Sequence, residues 1–314
     1  MTLRHPLVRL FVTIPLCGAL VAGLLGAAWL AMGRPSIARA TFLDVKRVAG
    51  ASFDAGTPDK PFFFLALGND SRQAGEKGLG DSIHVIGINP ATKQGTMLNV
   101  PRDTEAPGGG KINSYHSNGG LPSFIDQINK MMGIQINYAI TTDFPRFIHM
   151  VNDIGGIDIN LPYALSDQDF SGANFQAGPI KVNGDQALAI SRDRHDFERQ
   201  GDRQRTWQSG LVILSALSTL KQKATSFGST MKLIAILARG VTMENVGVDE
   251  LYRLGRFALS LDPANIKNCT IPTGGGSGTN LSVSSAAQPL FADFRDDGVV
   301  GSCEPVPGGF DTPR

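Results

Sequence analysis

Phe62-Phe63-Phe64-Leu65-Ala66-Leu67-Gly68 is an unbroken apolar run closed by a glycine, and Asn69-Asp70-Ser71-Arg72 follows directly. A run without polar alternation suits a strand covered on both faces of a sheet. Outward from it, residues 82–89 (SIHVIGIN) read as a second strand, residues 89–95 (NPATKQG) as a turn and residues 96–100 as a third strand. The second and third strands therefore form a hairpin. Helical spacing then takes over. Phe124, Ile125, Ile128 and Met131 share one face of a helix over 121–132, and Gly133 ends it. The pattern continues as strand 137–142, helix 144–153, strand 157–161, helix 184–191 and a longer helix over 205–220. Helices near 227–239 and 248–261, a strand near 266–271 and a helix near 284–294 complete it. Alternating strands and helices predict an α/β fold, and the hairpin makes its central sheet mixed, flanked by helices as an α-β-α sandwich. The glycine-rich stretch 274–278 reads as a flexible loop.

The 314 residues carry a formal net charge of +1, which excludes a polybasic nucleic-acid binder and an acidic disordered tail. With 42% hydrophobic and 18% charged residues, a substantial core can form. No charge falls between Leu10 and Met32, which is enough chain for a helix to cross a bilayer (about 20 residues). Arg4, His5 and Arg9 precede this run and predict an N-terminus on the cytoplasmic side. Ala38-Arg39-Ala40 has the form of a signal-peptide cleavage site, but the apolar run exceeds a signal core of about 7–15 residues, which favours an uncleaved anchor. The expected organisation is a cytoplasmic N-terminus (1–9), a transmembrane helix (10–32), a stalk (33–59), a catalytic domain (60–225), a C-terminal part of the same domain (226–303) and a Pro/Gly-rich tail (304–314). The bulk of the chain would then lie on the extracytoplasmic side of the cell membrane. Cys17 falls within the span. Cys269 and Cys303 either pair in an oxidising compartment or are two unrelated buried thiols. No Cys–His spacing suits zinc.

Arginines and aspartates gather in short clusters: Asp70-Ser71-Arg72, Asp81, Pro101-Arg102-Asp103-Thr104, Arg192-Asp193-Arg194 and Asp202-Arg203-Gln204-Arg205. Arginine offers planar, forked donors to phosphate oxygens. Aspartate offers hard oxygens to Mg²⁺, which bridges phosphate oxygens in turn. No lysine interrupts the chain between Lys181 and Lys221, which favours phosphate recognition over a generic solvated face. Several clusters fall at strand ends, where open α/β sheets bind ligands. The alternatives are ordinary strand-end turns and a salt-bridge network among Asp193, Asp196, Glu198 and Asp202. His116 and His149 are isolated, and there is no nucleophile elbow, P-loop or dinucleotide fingerprint.

The order of these motifs resembles the LytR-CpsA-Psr family of cell-wall glycopolymer phosphotransferases. The resemblance rests on Leu67-Gly68-Asn69-Asp70-Ser71-Arg72, Gly80-Asp81-Ser82, Val100-Pro101-Arg102-Asp103-Thr104, Lys111-Ile112-Asn113, Gly119-Gly120, Asp143-Phe144, Ile154-Gly155-Gly156-Ile157, Asn183-Gly184, Arg192-x-Arg194 and Asp202-x-x-Arg205, over roughly residues 60–220. It implies a membrane-anchored domain that takes a polyprenyl-pyrophosphate-linked glycan, transfers the phosphoglycan to a peptidoglycan hydroxyl and releases polyprenyl phosphate. By position it implies that Asp70 and Asp81 hold Mg²⁺. It implies that Arg72, Arg102, Arg192 and Arg194 grip the pyrophosphate, with Asp202 and Arg205 completing the polar wall. The same match implies that Arg102, Asp103 and Asp81 form the catalytic group, with Asp103 orienting an arginine or assisting the metal. Two departures stand out. Leu79 occupies the position of an arginine in the family pattern, and Gln208-Ser209-Gly210 stands where Arg-Gln-Gln is usual. The same site would serve a polyprenyl-pyrophosphate hydrolase, and the departure at Leu79 leaves open a non-catalytic polyprenyl-phosphate-binding scaffold. A domain outside the membrane with this charge is no DNA-binding regulator.

Overall fold

The computed structural model describes residues 43–48, 60–71, 78–194, 201–226, 228–230, 233, 241–275 and 279–303. The expected span 10–32, the tail 304–314, Arg72 and most of the helix expected over 227–239 lie outside the described residues. Among the described residues no helix is long and apolar enough to cross a membrane.

The opening apolar run is β2 (Phe62–Asn69), at the centre of a seven-stranded mixed sheet. The sheet is ordered β8 (Val241–Glu244), β1 (Leu43–Arg47), β5 (Tyr138–Asp143), β2, β3 (Gly80–Ile88), β4 (Gly95–Val100), β9 (Ile266–Thr270). β2, β3 and β4 pair antiparallel, while β2–β5, β4–β9 and β1–β8 are parallel. β2 is covered on both faces, as its apolar run requires. Phe63, Leu65 and Leu67 enter a cluster with Ile83, Val85 and Leu98. Helices α1 (Ser114–Met132) and α6 (Ala287–Asp297) close that cluster with Phe124, Ile128, Phe291 and Phe294. Phe62 and Phe64 turn the other way. They pack with Tyr138, Leu254 and Phe257 and towards Ile213 and Leu217, on helices α4 (Gly201–Lys223) and α5 (Val248–Ser260).

A third cluster joins α4 to α2 (Phe144–Asp153), α3 (Gly184–Arg192) and the two-stranded sheet β6 (Ile157–Leu161) with β7 (Gly178–Val182). The Asp143 side chain caps α2 through the Arg146 N–H, and Asn183 with Gln186 forms a reciprocal capping box on α3.

Besides the strands β7 and β8, which no sequence expectation covered, the structure departs from that expectation in four places. β1 lies within 33–59, the stretch expected as a stalk. Its Val45 is buried against Tyr138, Val246 and Leu254, and Asp44 takes Arg146 at 2.7 Å. Only partners distant in sequence make this short segment a strand. α1 starts at Ser114 rather than near 121, because Gly120 at φ 69° lets two helical segments join across a kink ahead of Pro122. α4 starts at Gly201 rather than near 205. Its first turns bury polar residues (Gln204, Arg205, Thr206), which hides the helix from an apolar-period reading. Gly274 and Gly275, read as loop, belong to β10 (Thr273–Gly275), paired with β11 (Leu281–Val283); residues 276–278 lie outside the described set. Of the two readings of the exported cysteines, the structure has the pair: Cys269 of β9 is bonded to Cys303 beyond α6, with Cα atoms 5.9 Å apart.

Candidate active site

The β3–β4 hairpin creates the site. Its register pairs Ile83 with Val100, so Asp81 at the start of β3 comes level with Arg102 just past the end of β4. Arg102 Nη1 donates to Asp81 Oδ2 at 2.6 Å, and Arg102 Nε stands 3.6 Å from Asp202 Oδ1. Asp202 and Arg205 lie in the first turns of α4, three residues apart and so on one face. Arg205 donates through Nε (3.0 Å) and Nη2 (2.7 Å) to Asp202 Oδ1, and through Nη1 to the Asp81 carbonyl (3.2 Å). Asn113, just ahead of α1, gives its amide to Asp81 Oδ1 at 3.3 Å. Asp81 and Arg205 are buried.

Thus four of the residues singled out in the sequence meet in one cluster, with Asn113 as a fifth member. The arginine charge of Arg102 is firmly held. Burial works against it, but Asp81, Asp202 and Asp103 outweigh that and raise its pKa above the ordinary value. Two buried polar atoms of the cluster have no hydrogen-bond partner, Arg102 Nε and Asp202 Oδ2. Buried polar groups are nearly always satisfied, so such a pair marks a place for a polar ligand.

The other expected residues make contacts of their own outside this cluster, and Arg72 lies outside the described residues. Asp103 pairs with Lys111 at 2.6 Å. Asp70 closes the β2–β3 turn, accepting from the Leu79 N–H at 2.7 Å. Arg192 ends α3 with its guanidinium 5.2 Å over the Phe144 ring, and Arg194 is exposed. Asp193 between them is buried and accepts from Gln208 Nε2 (3.3 Å), which ties the end of α3 to α4. Gln208 also takes the Tyr163 hydroxyl (3.1 Å), and Gln204 donates to that oxygen (2.7 Å). A surface depression of about 380 Å³ between Asp158 and Lys181 on the β6–β7 sheet shares no residue with the cluster.

Sequence reasoning passed over His84. It is fully buried in β3, directly opposite Asn99 of β4. Its Nδ1 donates to Asn99 Oδ1 (2.6 Å), and its Nε2 lies 2.8 Å from Ser82 Oγ and 3.2 Å from Ser209 Oγ. The available signal was one polar residue in each of two apolar strands, which become partners only once the register is known. Burial lowers the His84 pKa to about 4; the Asn99 hydrogen bond opposes this and nearby Arg205 adds to it. The unfolded chain titrates near the ordinary value of about 6.5, so below that pH it binds a proton that the folded chain refuses. The stability from keeping His84 neutral is complete above about pH 6.5 and is lost as pH falls towards 4, on the order of 3 kcal/mol. Urea melts across pH 4–7 are expected to show His84→Gln losing less stability on acidification than the parent, by up to that amount. Parallel curves for the two proteins would contradict the assignment.

Comparison with known proteins adds kinship to this geometry. The polyisoprenyl-teichoic acid–peptidoglycan teichoic acid transferase TagU of Bacillus licheniformis is 35% identical over 185 residues, 55% of this chain and 58% of that protein. The chain thus spans less than two thirds of the length of the curated relatives it matches first. The LytR-Csp2A-Psr enzyme from Actinomyces oris superposes with a TM-score of 0.63 at 23% identity, over 81% of this chain and 96% of that one. The LytR-CPS2A-psr family protein YwtF (TagT) with bound octaprenyl pyrophosphate lipid superposes with a TM-score of 0.59 at 20% identity, over 79% and 94%. At those identities the structures establish a shared fold. The model of the LytR_cpsA_psr family matches residues 37–296, most of the chain and all of the site, and the chain belongs to that family.

Proposed function

We propose that the protein transfers a phosphoglycan from a polyprenyl-pyrophosphate-linked precursor to a peptidoglycan hydroxyl at the outer face of the cell membrane, releasing polyprenyl phosphate. The observation that carries this reading is the Asp81–Arg102–Asp202–Arg205 cluster, largely buried yet with Arg102 Nε and Asp202 Oδ2 making no hydrogen bond. Relatives named as teichoic acid transferases, and a family structure with a bound prenyl pyrophosphate, support the substrate class.

In this reaction the acceptor oxygen bonds to the glycan-side phosphorus as the bond from that phosphorus to the bridging oxygen breaks; polyprenyl phosphate leaves with that bond's electron pair, and the acceptor's hydroxyl proton passes to the departing phosphate or to water. Catalysis of this kind is mostly positioning and charge neutralisation. Asp81 uses one N–H of Arg102, and Asp202 fixes the fork of Arg205, so both guanidiniums are oriented before substrate arrives. Arg192 and Arg194, at and just past the end of α3, would add positive charge for the pyrophosphate on this reading. Among the described residues no three acidic, histidine or cysteine side chains group as a metal site, and Asp81 and Asp70, the pair expected to hold Mg²⁺, are engaged by Arg102 with Asn113 and by the Leu79 N–H; a Mg²⁺ ion arriving with the pyrophosphate would find hard oxygen donors in those two carboxylates. Bound there, the ion would neutralise phosphate charge in the transition state.

The test follows polyprenyl phosphate release by the full chain, in detergent with Mg²⁺ and a polyprenyl-pyrophosphate oligosaccharide, with and without peptidoglycan. Acceptor-dependent release supports transfer. Release without acceptor makes the protein a hydrolase, and lipid binding without release makes it a scaffold.

Leu79 gives a gain-of-function prediction. It is an exposed large apolar residue beside Asp70 and Gly80, at the position of a family arginine. Leu79→Arg is expected to tighten prenyl-pyrophosphate binding roughly five-fold, in line with about 1 kcal/mol for one added charge-assisted contact. Calorimetric titration checks it, and unchanged affinity would place Leu79 outside the pyrophosphate subsite.

A further inference from the structure

A closed loop of hydrogen bonds, buried at His84 and partly buried elsewhere, links α4 to the sheet beside the ion cluster. The Trp207 carbonyl on α4 accepts from Asn268 Nδ2 (3.0 Å), and Asn268 Oδ1 accepts from Asn99 Nδ2 (2.6 Å). Asn99 Oδ1 accepts from His84 Nδ1 (2.6 Å). His84 Nε2 faces the hydroxyls of Ser82 (2.8 Å) and Ser209 (3.2 Å), which lie 2.6 Å from each other. Trp207 and Ser209 both belong to α4, so the path leaves that helix, crosses β9, β4 and β3, and returns to it. Directions are consistent throughout. Asn99 presents its oxygen to Nδ1, so Nδ1 carries the proton and Nε2 accepts from a serine. Gly210 makes the close approach possible, because a Cβ there would run into Asn268 Oδ1 and sit 2.8 Å from Asn99 Oδ1.

Such a loop has no need to exist for the fold alone. Two apolar residues at the paired positions 84 and 99 would avoid the desolvation of an imidazole and an amide. What the loop adds is direction, since a satisfied polar network accepts one register where an apolar contact tolerates several. Its placement is informative. Ser82 follows Asp81 on β3, and Ser209 lies one helical turn after Arg205 on α4. Ser82, His84 and Asn99 have the connectivity of a hydrolytic triad. His84, however, lies wholly beneath α4 and titrates near 4, too weak a base to activate a serine at neutral pH.

We propose that Ser82, His84, Asn99, Asn268 and Ser209 form a positioning network that locks α4 in register against β3, and so keeps Asp202 and Arg205 aligned with Asp81 and Arg102 to receive a pyrophosphate. This rests on the transfer reading above. Misplacement of a catalytic group by about 1 Å suffices to lose two orders of magnitude in rate, so a small slip of α4 matters.

The experiment measures farnesyl pyrophosphate binding by calorimetry, with the full chain in detergent and Mg²⁺. Ser209→Ala, His84→Leu and the conservative His84→Gln are each made in the parent and in an Arg205→Gln background, and thermal melts confirm folding. Ser209→Ala and His84→Leu are expected to weaken binding roughly ten-fold in the parent and under two-fold once Arg205 is gone, as two groups acting through one contact must. His84→Gln is expected to recover most of the affinity. Should His84→Leu fail to fold, Ser209→Ala, which removes a single hydroxyl, carries the test. Lower melting temperatures with unchanged affinity, or equal losses in both backgrounds, would reduce the network to a structural feature and overturn the proposal while leaving the transfer reading intact. A parent protein that binds no farnesyl pyrophosphate would overturn the transfer reading and this inference with it.

Discussion

Arg102→Ala is expected to lower acceptor-dependent release of polyprenyl phosphate by about a thousand-fold, the upper range for removing one preorganised charged donor from a transition state. The residue donates to Asp81 at 2.6 Å, and its buried Nε stands 3.6 Å from Asp202 without a hydrogen bond. On the proposed transfer reading, truncation removes a phosphate donor and leaves two carboxylates facing the incoming pyrophosphate without their counter-charge. Stability falls too. Breaking a buried pair from one side costs about 3–5 kcal/mol, and the lower end applies because the Arg102 side chain keeps 24% of its surface exposed. Arg102→Lys retains the charge but not the fork and should fall between the two proteins. The decisive comparison is kcat at saturating substrate, measured below the melting point of each variant. A rate within three-fold of the parent would remove Arg102 from the chemistry.

Loss of the disulfide is expected to have the largest effect on stability. Cys269 and Cys303 are 34 positions apart, and a closed loop of that length restricts the unfolded chain by about 4 kcal/mol. Cys303→Ser should lose that amount and lower the melting temperature by about 10 °C for a domain of this size. Cys269→Ser should lose more, because Cys269 is fully buried in the cluster of Leu98, Val100 and Phe291, where a hydroxyl finds an apolar setting. Reductant applied to the parent should reproduce the Cys303→Ser melt. If the two serine variants and the reduced parent all melt with the oxidised parent, the bond contributes nothing to stability.

Much of the fold was legible because its strongest signals are local. The run from Phe62 to Leu67 has no polar alternation, and it became the central strand with helices on both faces. Asn89 to Gly95 announced the turn that makes β3 and β4 a hairpin. What escaped were segments whose state depends on distant partners. β1 is five residues long and ordinary in composition, and it is a strand because β5 and β8 flank it. Gly274 and Gly275 have the poorest strand propensity available, yet Ser282 and Leu281 pair with them, and Leu281 is in turn held by backbone bonds to Asp103 and Glu105.

The site divides along the same line. The sequence alone determined the inventory: which arginines and aspartates exist, that they fall at strand and helix ends, and that the second and third strands form a hairpin. Those facts follow from side-chain chemistry and from period-two and period-3.6 patterns, which act over a few residues. Only the tertiary structure decided which charges meet. It brought Asp202 and Arg205 against the hairpin from 100 residues away, gave Asp103 to Lys111 and Asp193 to Gln208, and enclosed His84 with Asn99, Ser209 and Asn268. Those pairings are set by the docking of α4 on the sheet, a packing of apolar surfaces whose final register rests on buried hydrogen bonds between residues far apart in the chain.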